Sequence, residues 1–238
     1  MTAGDFGALE RVGLNLQAVF DIAALPEGLR TRLASLADDP DRYRQLILIG
    51  NAGPTLWASV KAASLDSTDP IDDFSTRTVD EWFAAHYGNT PSQHLYPGDA
   101  PLDLQSLGRL AGWHHSSPFK IGINARWGTW FAYRVALLAG TGIAPTPVSQ
   151  GESPCNRCSA KPCTTACPAN AMESGDFDLP RCIAYRRRAG SACAQTCLAR
   201  ISCPVGTRHR YDEEQIRHGY GNSLRMIEWY AAGAIHRG

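Results

Sequence analysis

All eight cysteines of this 238-residue chain lie within one short stretch, and the other residues contain none. They form two runs, and each run ends in the dipeptide Cys-Pro. The first run has the form C-x2-C-x4-C-x3-C-P, and the second has the form C-x3-C-x5-C-P, with one lone cysteine between the two runs. In chain order they are Cys155, Cys158, Cys163, Cys167, Cys182, Cys193, Cys197 and Cys203.

This spacing favours iron–sulfur ligation, because closely spaced cysteines on a turn can wrap the corners of one cubane cluster. The first run resembles the C-x2-C-x2-C-x3-C-P run of bacterial two-cluster ferredoxins, in which the fourth cysteine binds the other cluster. It differs by two extra residues between the second and third cysteines. By that resemblance we predict two [4Fe–4S] clusters with crossed ligation. One would be bound by Cys155, Cys158, Cys163 and Cys203, and the other by Cys167, Cys182, Cys193 and Cys197.

Disulfides and zinc are the alternatives for eight cysteines. Four disulfides fit the number, but residues 1–10 contain no apolar run typical of a secretory signal, so no oxidising compartment is expected. Two zinc sites also fit, but zinc sites favour pairs of C-x2-C knuckles, and only Cys155 and Cys158 form one. The iron–sulfur interpretation is therefore preferred.

The composition does not favour electrostatic attraction to a charged partner. Lys and Arg total 23 and Asp and Glu total 23, so the formal net charge is zero. We therefore expect neither a nucleic-acid partner nor an anionic membrane partner. The longest apolar stretch, residues 130–139, is interrupted by Arg134 and is shorter than the ~20 residues that a membrane helix needs. A cytoplasmic protein is expected.

Apolar periodicity predicts an α+β arrangement up to about residue 148. The run QLILIG at Gln45–Gly50 predicts a buried strand. A helix is expected to begin at Pro54 or Thr55, since proline is favoured in the first turn. Residues 64–78 are rich in Ser, Thr and Asp and are expected to form a loop. Helices are further predicted over residues 4–17, 27–37, 79–87 and 102–110, and an edge strand over 93–96.

The stretch KIGINARWGTWFAYRVALLAG, residues 120–140, predicts a β-hairpin. Residues 121–125 alternate in polarity, and residues 130–138 are rich in aromatic and β-branched side chains, so each favours a strand. Trp127-Gly128-Thr129 would form the turn between them.

The remaining segments predict a linker and a terminal helix. Three prolines and two glycines in residues 141–154 favour an extended linker. Apolar residues recur at helical spacing over residues 211–232, which predicts a helix that Gly219 and Gly221 divide, with Ser223 as a cap.

Two resemblances to known families suggest what the chain does. Gly128–Arg134 (GTWFAYR) resembles the G-G-W-F-A-x-R motif of the cobalamin-processing chaperones of the CblC family. Arg181–Tyr185 (RCIAY) resembles the R-C-I-S-Y of epoxyqueuosine reductases, which carry two [4Fe–4S] clusters beside cobalamin. No counterpart of the acidic R-D-Y-H motif of those reductases is present, so activity on tRNA is not expected.

These resemblances imply a nitroreductase-like α+β core with an inserted ferredoxin-like domain. The core would comprise residues 1–148, the two-cluster domain residues 150–208, and a C-terminal helix at 209–238 would pack back on the core. Such cores often dimerise, so a homodimer is an open expectation.

The leading hypothesis is an oxidoreductase that passes electrons from the two clusters to a corrinoid, cobalamin, or to its ligand on the core. A ferredoxin or a flavodoxin would supply the electrons. A ferredoxin-type carrier without its own substrate, a reductase resembling the epoxyqueuosine reductases, and a flavin enzyme that binds FMN remain alternatives.

The resemblance to the CblC family also names candidate cofactor-binding residues, whereas no catalytic residue is assigned. Arg134 aligns with an arginine of the corrinoid pocket, and its fork of donors suits a carboxylate or an amide. Trp130 and Phe131 could line a planar ring, although aromatic side chains in strands more often pack in a core. His114 or His115 could bind cobalt or transfer protons. Weaker candidates are Trp127, the segment Asn51, Gly53 and Pro54, and the basic run Arg186, Arg187 and Arg188, which is typical of a solvated face.

Overall fold

A computed structural model describes residues 4–148 and 151–231, and the chain divides into two compact units. The first unit comprises Met1–His114 and Phe131–Gln150, and the second comprises His115–Trp130 and Gly151–Gly238. Within the described residues, no helix combines the length and apolar character needed to cross a membrane. The domain bounds predicted from the sequence stay predictions.

The described residues form strands and helices that mix along the chain. The strands are β1 (Leu16–Asp21), β2 (Gln45–Ala52), β3 (Ser92–Tyr96), β4 (His115–Ser116), β5 (Gly122–Ile123) and β6 (Phe131–Ala139). The α-helices are α1 (Gly7–Arg11), α2 (Glu27–Leu36), α3 (Thr55–Ala63), α4 (Pro70–Tyr87), α5 (Leu104–Leu110), α6 (Pro162–Thr165), α7 (Leu179–Arg186), α8 (Leu198–Ser202) and α9 (Glu213–Ala231).

The first unit is built on an antiparallel sheet with the strand order β1-β2-β6-β3. Every residue of β2 is buried, because both faces of the sheet are covered. Ile47 and Ile49 point into a cluster that contains Trp57 from α3, while Leu46 and Leu48 point into a second cluster on the other face. This confirms the predicted α+β class and the predicted buried strand.

The predicted hairpin within residues 120–140 is wrong. Strand β6 pairs with β2 and β3, and not with the segment that precedes it in sequence. The short β5 pairs with β4 instead, through His115 opposite Ile123. The turn itself closes tightly, since Asn124 and Gly128 exchange backbone hydrogen bonds of 2.8 Å. Strand β6 is a central strand of the sheet, and its apolar run is buried on both faces. The polarity pattern of the sequence does not distinguish such a strand from one arm of a hairpin.

Two further predictions need correction. Residues 70–78, predicted as loop, form the first half of α4, where Pro70 occupies the first turn and Phe74 is buried. The many Asp, Ser and Thr residues around Ile71 and Phe74, which both pack against the core, obscure the helical pattern in the sequence. Residues 4–17, predicted as one helix, contain the short α1 and the start of β1. The expected elements that are present are α2, α3, α5, the second half of α4 and the edge strand β3.

Within its described residues, the second unit contains three short α-helices, the long α9 and two small apolar clusters. Phe119 and Met172 pack with Cys163 in one cluster, and Trp130 packs with Tyr211, which precedes α9, and with Ile216 of α9 in the other. Helix α9 runs without interruption through Gly219 and Gly221, so the expected division is wrong and Ser223 caps nothing. Residue 232, the predicted helix end, lies outside the described residues.

The zero net charge of the chain conceals opposite charges on the two units. The first unit carries 9 Lys and Arg against 15 Asp and Glu, a formal charge of −6. The second carries 14 against 8, a formal charge of +6. A global count therefore does not describe the electrostatics of the cysteine-bearing unit.

Candidate metal centre

One cavity of the second unit is lined by four of the eight cysteines. Its other lining residues include Phe119, Ile123 and Pro162, and its one charged side chain is Lys161. A 3-10 turn at Pro154–Arg157 and the first turn of α6 present two of these cysteines, and a third follows the end of α8. The cysteines are Cys155, Cys158, Cys163 and Cys203.

Two facing glycines hold the turn that carries the last of these cysteines. Gly128 and Gly206 both adopt a left-handed backbone, with φ of 59° and 66°. A Cβ on Gly206 would lie 2.3 Å from the Gly128 nitrogen, and one on Gly128 would lie 2.0 Å from the Val205 carbonyl oxygen. This backbone approach leaves no room for a side chain at either position. It positions the Cys203-Pro204 turn against the segment before β6.

A second cavity, of about 300 Å³, is lined by the other four cysteines. Helix α7 presents one of them and is capped by Asp178, whose carboxylate accepts a hydrogen bond from the Arg181 N–H at 2.8 Å. Another occupies the N-cap position of α8. Phe119, Met172 and Phe177 supply apolar walls. The four are Cys167, Cys182, Cys193 and Cys197.

Burial and mutual repulsion keep most of these thiols protonated in the protein without metal. Burial, followed by the neighbouring Cys197, raises the pKa of Cys182 to about 11. Burial also raises the pKa of Cys155 and Cys163, where Cys203 adds to the effect. The pKa values of Cys197 and Cys203 are raised as well, again chiefly by burial. Metal ions bind the thiolate, so loading either site must release protons.

These shifts predict that the cluster-free, reduced protein loses stability at high pH. A thiol whose pKa is higher in the folded than in the unfolded chain stabilises the fold fully below about pH 8.5. That contribution is lost as the pH rises toward about 11, the pKa of Cys182. Thermal melts of chelator-treated protein at pH 7–10.5 should show this decline. Cys182→Ala should show a shallower decline, and an equal decline in both proteins would contradict the prediction.

The cysteines line two cavities in the same sets of four that the resemblance to two-cluster ferredoxins implied, and their role as cluster ligands stays a prediction. All eight are free thiols. In the described part of the chain, no three His, Cys, Asp or Glu side chains converge on a site for a single metal ion. In a cubane each cysteine binds a different iron, so its four ligands surround a shared cavity instead of one atom. The donor chemistry of both sets fits [4Fe–4S] clusters. The first cavity measures only about 20 Å³ against about 300 Å³ for the second, and ligation itself stays a prediction.

The three cofactor-binding candidates lie in different surroundings. Trp130 belongs to the second unit and is fully buried, with the Tyr211 ring centroid at 5.5 Å and the Arg200 guanidinium 4.4 Å from its ring. Phe131 and Arg134 belong to β6 of the first unit, and Phe131 is buried against Tyr133.

Arg134 already has polar partners within the first unit. Its Nε donates a 2.7 Å hydrogen bond to Asn51 Oδ1, and its Nη1 lies 3.8 Å from Asp72 Oδ1. Burial raises the pKa of Asp72, and the Arg134 charge partly opposes that rise. The weaker candidate Asn51 is thus a partner of Arg134. A cofactor role for Trp130, Phe131 and Arg134 stays a prediction.

The other sequence candidates also have definite positions. His114 is buried, and its Nδ1 lies 2.9 Å from the Tyr133 hydroxyl. Trp127 packs against the His209 ring at 4.3 Å. Of the basic run, Arg187 and Arg188 are exposed, as expected for a solvated face, but Arg186 is buried. It follows Cys182 by four residues on α7 and therefore lies on the same helix face as that cysteine.

The fold is similar to that of solved epoxyqueuosine reductases. No family model and no curated protein sequence matches the chain. A complex of epoxyqueuosine reductase with an epoxyqueuosine-modified tRNA-Tyr stem loop superposes with a TM-score of 0.55 at 14% identity, over 90% of this chain and 67% of that one. The enzyme from Bacillus subtilis, with its catalytic loop swung out, gives 0.56 at 14% identity over 87% and 66%. The Streptococcus thermophilus enzyme gives 0.51 at 14% identity over 87% and 66%.

The chain spans about two thirds of the length of these reductases. At this identity the likeness establishes a shared fold, while substrate and partners have to be argued from this chain's own residues.

Proposed function

We propose that this protein is an iron–sulfur oxidoreductase that holds two [4Fe–4S] clusters, one in each four-cysteine cavity. The observation that carries the proposal is the division of the eight free thiols between two cavities, with four in each. No Asp, Glu or His lines either cavity among the described residues, so the available ligands are thiolates. An all-thiolate set of four is the usual ligation of a [4Fe–4S] cluster.

Clusters bound in this way accept and donate single electrons. The chain's own residues supply the thiolate ligands, the apolar walls that limit water access, and the hydrogen bonds and charges around the sulfurs. Burial, hydrogen bonding and local charge set the potential at which electrons are transferred. The function is therefore electron transfer to an acceptor, with an external one-electron carrier such as a ferredoxin or a flavodoxin as the donor.

For the acceptor we propose a corrinoid bound by the first unit. The support is the likeness of Gly128–Arg134 to the cobalamin-processing motif. Arg134 adds a physical argument, since it is 14% exposed and offers donors beyond the one bound to Asn51. The Arg134 guanidinium can donate hydrogen bonds to a corrin side-chain amide, while Asn51 and Asp72 fix the orientation of the guanidinium.

A titration of the anaerobic protein with hydroxocobalamin tests this acceptor. We expect a shifted corrinoid spectrum on binding and a further change when a strong reductant is added. Arg134→Met should weaken binding about tenfold, the effect of losing roughly 1.4 kcal/mol from one charge-assisted hydrogen bond. Arg77→Met is the control, because Arg77 is exposed and its ion pair, with Glu81, is long at 3.9 Å. An unchanged spectrum at saturating protein would exclude the corrinoid and leave the clusters unaffected.

Reduction of a modified RNA is the second candidate, and two observations favour it. One structural neighbour is bound to a modified tRNA stem loop. The second unit carries a formal charge of +6, which favours phosphate contacts although the whole chain is neutral. Salt-dependent binding of an anticodon stem loop, measured by fluorescence anisotropy, would support this candidate. The same weak binding to any RNA hairpin would count against it.

A further inference from the structure

Arg186 places a positive charge in the interior of the second unit. It is 8% exposed. Its Nε donates to the Cys193 carbonyl at 3.2 Å, its Nη2 to the Tyr220 carbonyl at 2.8 Å, and its Nη1 to the Ser223 hydroxyl at 3.0 Å. All of these acceptors are neutral. Within the described residues, no carboxylate lies within ion-pair distance of this guanidinium.

A buried cation without an anionic partner is costly, by several kcal/mol in ordinary protein interiors. Arg186 lines the second cavity together with its four cysteines. It follows Cys182 by one turn of α7, and its charge opposes the burial that raises the pKa of that thiol. It also binds the carbonyl of Cys193, the first cysteine of the second run. Arg186 is therefore placed where four thiolates would supply the missing negative charge.

Tyr220 adds a hydrogen-bond donor at the same cavity. Its hydroxyl is buried and has no hydrogen-bond partner of ordinary geometry among the described residues. Burial raises the pKa of the Cys197 thiol beside it, and the Tyr220 hydroxyl and the Arg200 charge both oppose that rise. The Tyr220 ring lies 5.4 Å from the Arg186 guanidinium. A thiolate at Cys197 would accept this otherwise unused O–H.

Among the described residues that line the first cavity, none is an equivalent buried cation. Lys161 lines this cavity but is exposed. The Arg210 charge opposes the burial that raises the pKa of Cys203, but Arg210 is only half-buried and donates a 2.6 Å hydrogen bond to the Ile201 carbonyl. Water and salt screen exposed charges far more than buried ones. The two cysteine sets therefore experience different electrostatic environments.

We propose that Arg186 and Tyr220 raise the reduction potential of the cluster bound by Cys167, Cys182, Cys193 and Cys197. Each reduction transfers one electron from an external donor to this site, and no covalent bond of the chain forms or breaks. The added negative charge is stabilised by the Arg186 cation and by the Tyr220 O–H at the Cys197 sulfur. This inference rests on the proposed function, because it requires a cluster in that cavity.

An anaerobic potentiometric titration with dithionite, followed by visible and electron paramagnetic resonance spectra, tests the inference. Arg186→Met should lower one of two midpoint potentials and leave the other unchanged. Tyr220→Phe should lower the same midpoint by less. Arg186→Lys, which keeps the charge, should shift it less than Arg186→Met. Arg187→Met is the matched control, because Arg187 is the adjacent, exposed arginine and should shift neither midpoint.

The inference is overturned if Tyr220→Phe and both Arg186 variants leave the midpoints in place. It is also overturned if Arg187→Met shifts a midpoint as far as Arg186→Met, since any nearby charge would then suffice. If Arg186→Met does not fold, Arg186→Lys and Tyr220→Phe decide the question. Wild-type protein without iron would refute the proposed function itself, which iron analysis before the titration distinguishes.

Discussion

The double variant Cys155→Ala/Cys203→Ala is expected to lose about four of eight irons, whereas Cys155→Ala/Cys167→Ala is expected to lose nearly all. The first pair belongs to one cavity, although 47 positions separate the two residues in the sequence. The second pair belongs to two cavities, although only 11 positions separate its members. Iron and acid-labile sulfide, measured per protein after anaerobic reconstitution, distinguish the two outcomes.

Each single variant should lose about as much iron as the Cys155/Cys203 double variant, because a cubane that lacks one ligand is labile. Ser159→Ala, an exposed position in the first run, serves as the control and should retain all the iron. Retention of about four irons in Cys155→Ala/Cys167→Ala would show that sequential cysteines share a cluster, and would contradict the crossed ligation.

Gly206→Ala is expected to destabilise the protein by roughly 3 kcal/mol, because it combines two costs. The left-handed φ of 66° is unfavourable for alanine, and the new Cβ would meet the backbone at Gly128 and Trp127 at 2.3–2.4 Å. Since backbone atoms cannot move aside as a flexible side chain would, the Cys203-Pro204 turn must shift. Urea unfolding measures the free-energy change, and iron content reports on the displaced Cys203.

Gly190→Ala is the matched control for this prediction. Gly190 has a similar φ of 72°, but a Cβ there would meet nothing within 4 Å. It should therefore cost only about 1 kcal/mol, the backbone contribution alone. Equal destabilisation by the two variants would show that the close approach of Gly128 and Gly206 is unimportant.

The eight cysteines and their two Cys-Pro endings were visible in the sequence, and their division into two sets of four came from the resemblance to two-cluster ferredoxins. The β2 strand was equally clear, since a run such as QLILIG leaves few alternatives. The run in β2 is a local pattern, whereas the crossed grouping joins Cys155 to Cys203, 47 positions away, and depends on the fold.

The errors arose where a partner distant in sequence decides the structure. Strand β6 pairs with β2, more than 80 residues earlier, so its neighbour along the chain was a poor guide. The start of α4 was concealed by polar residues around the buried Phe74. The basic run predicts a solvated face, but Arg186 is buried, because it donates to the Ser223 hydroxyl and the Tyr220 carbonyl of α9, which are distant in the sequence.

Metal and acid-labile sulfide analysis of protein purified without oxygen, combined with its visible spectrum, decides whether the eight thiols bind two iron–sulfur clusters. We expect about eight irons and eight sulfides per chain and a brown absorbance that dithionite bleaches. About two zinc ions with no sulfide would contradict this expectation, because zinc bound by the same eight thiolates cannot transfer electrons.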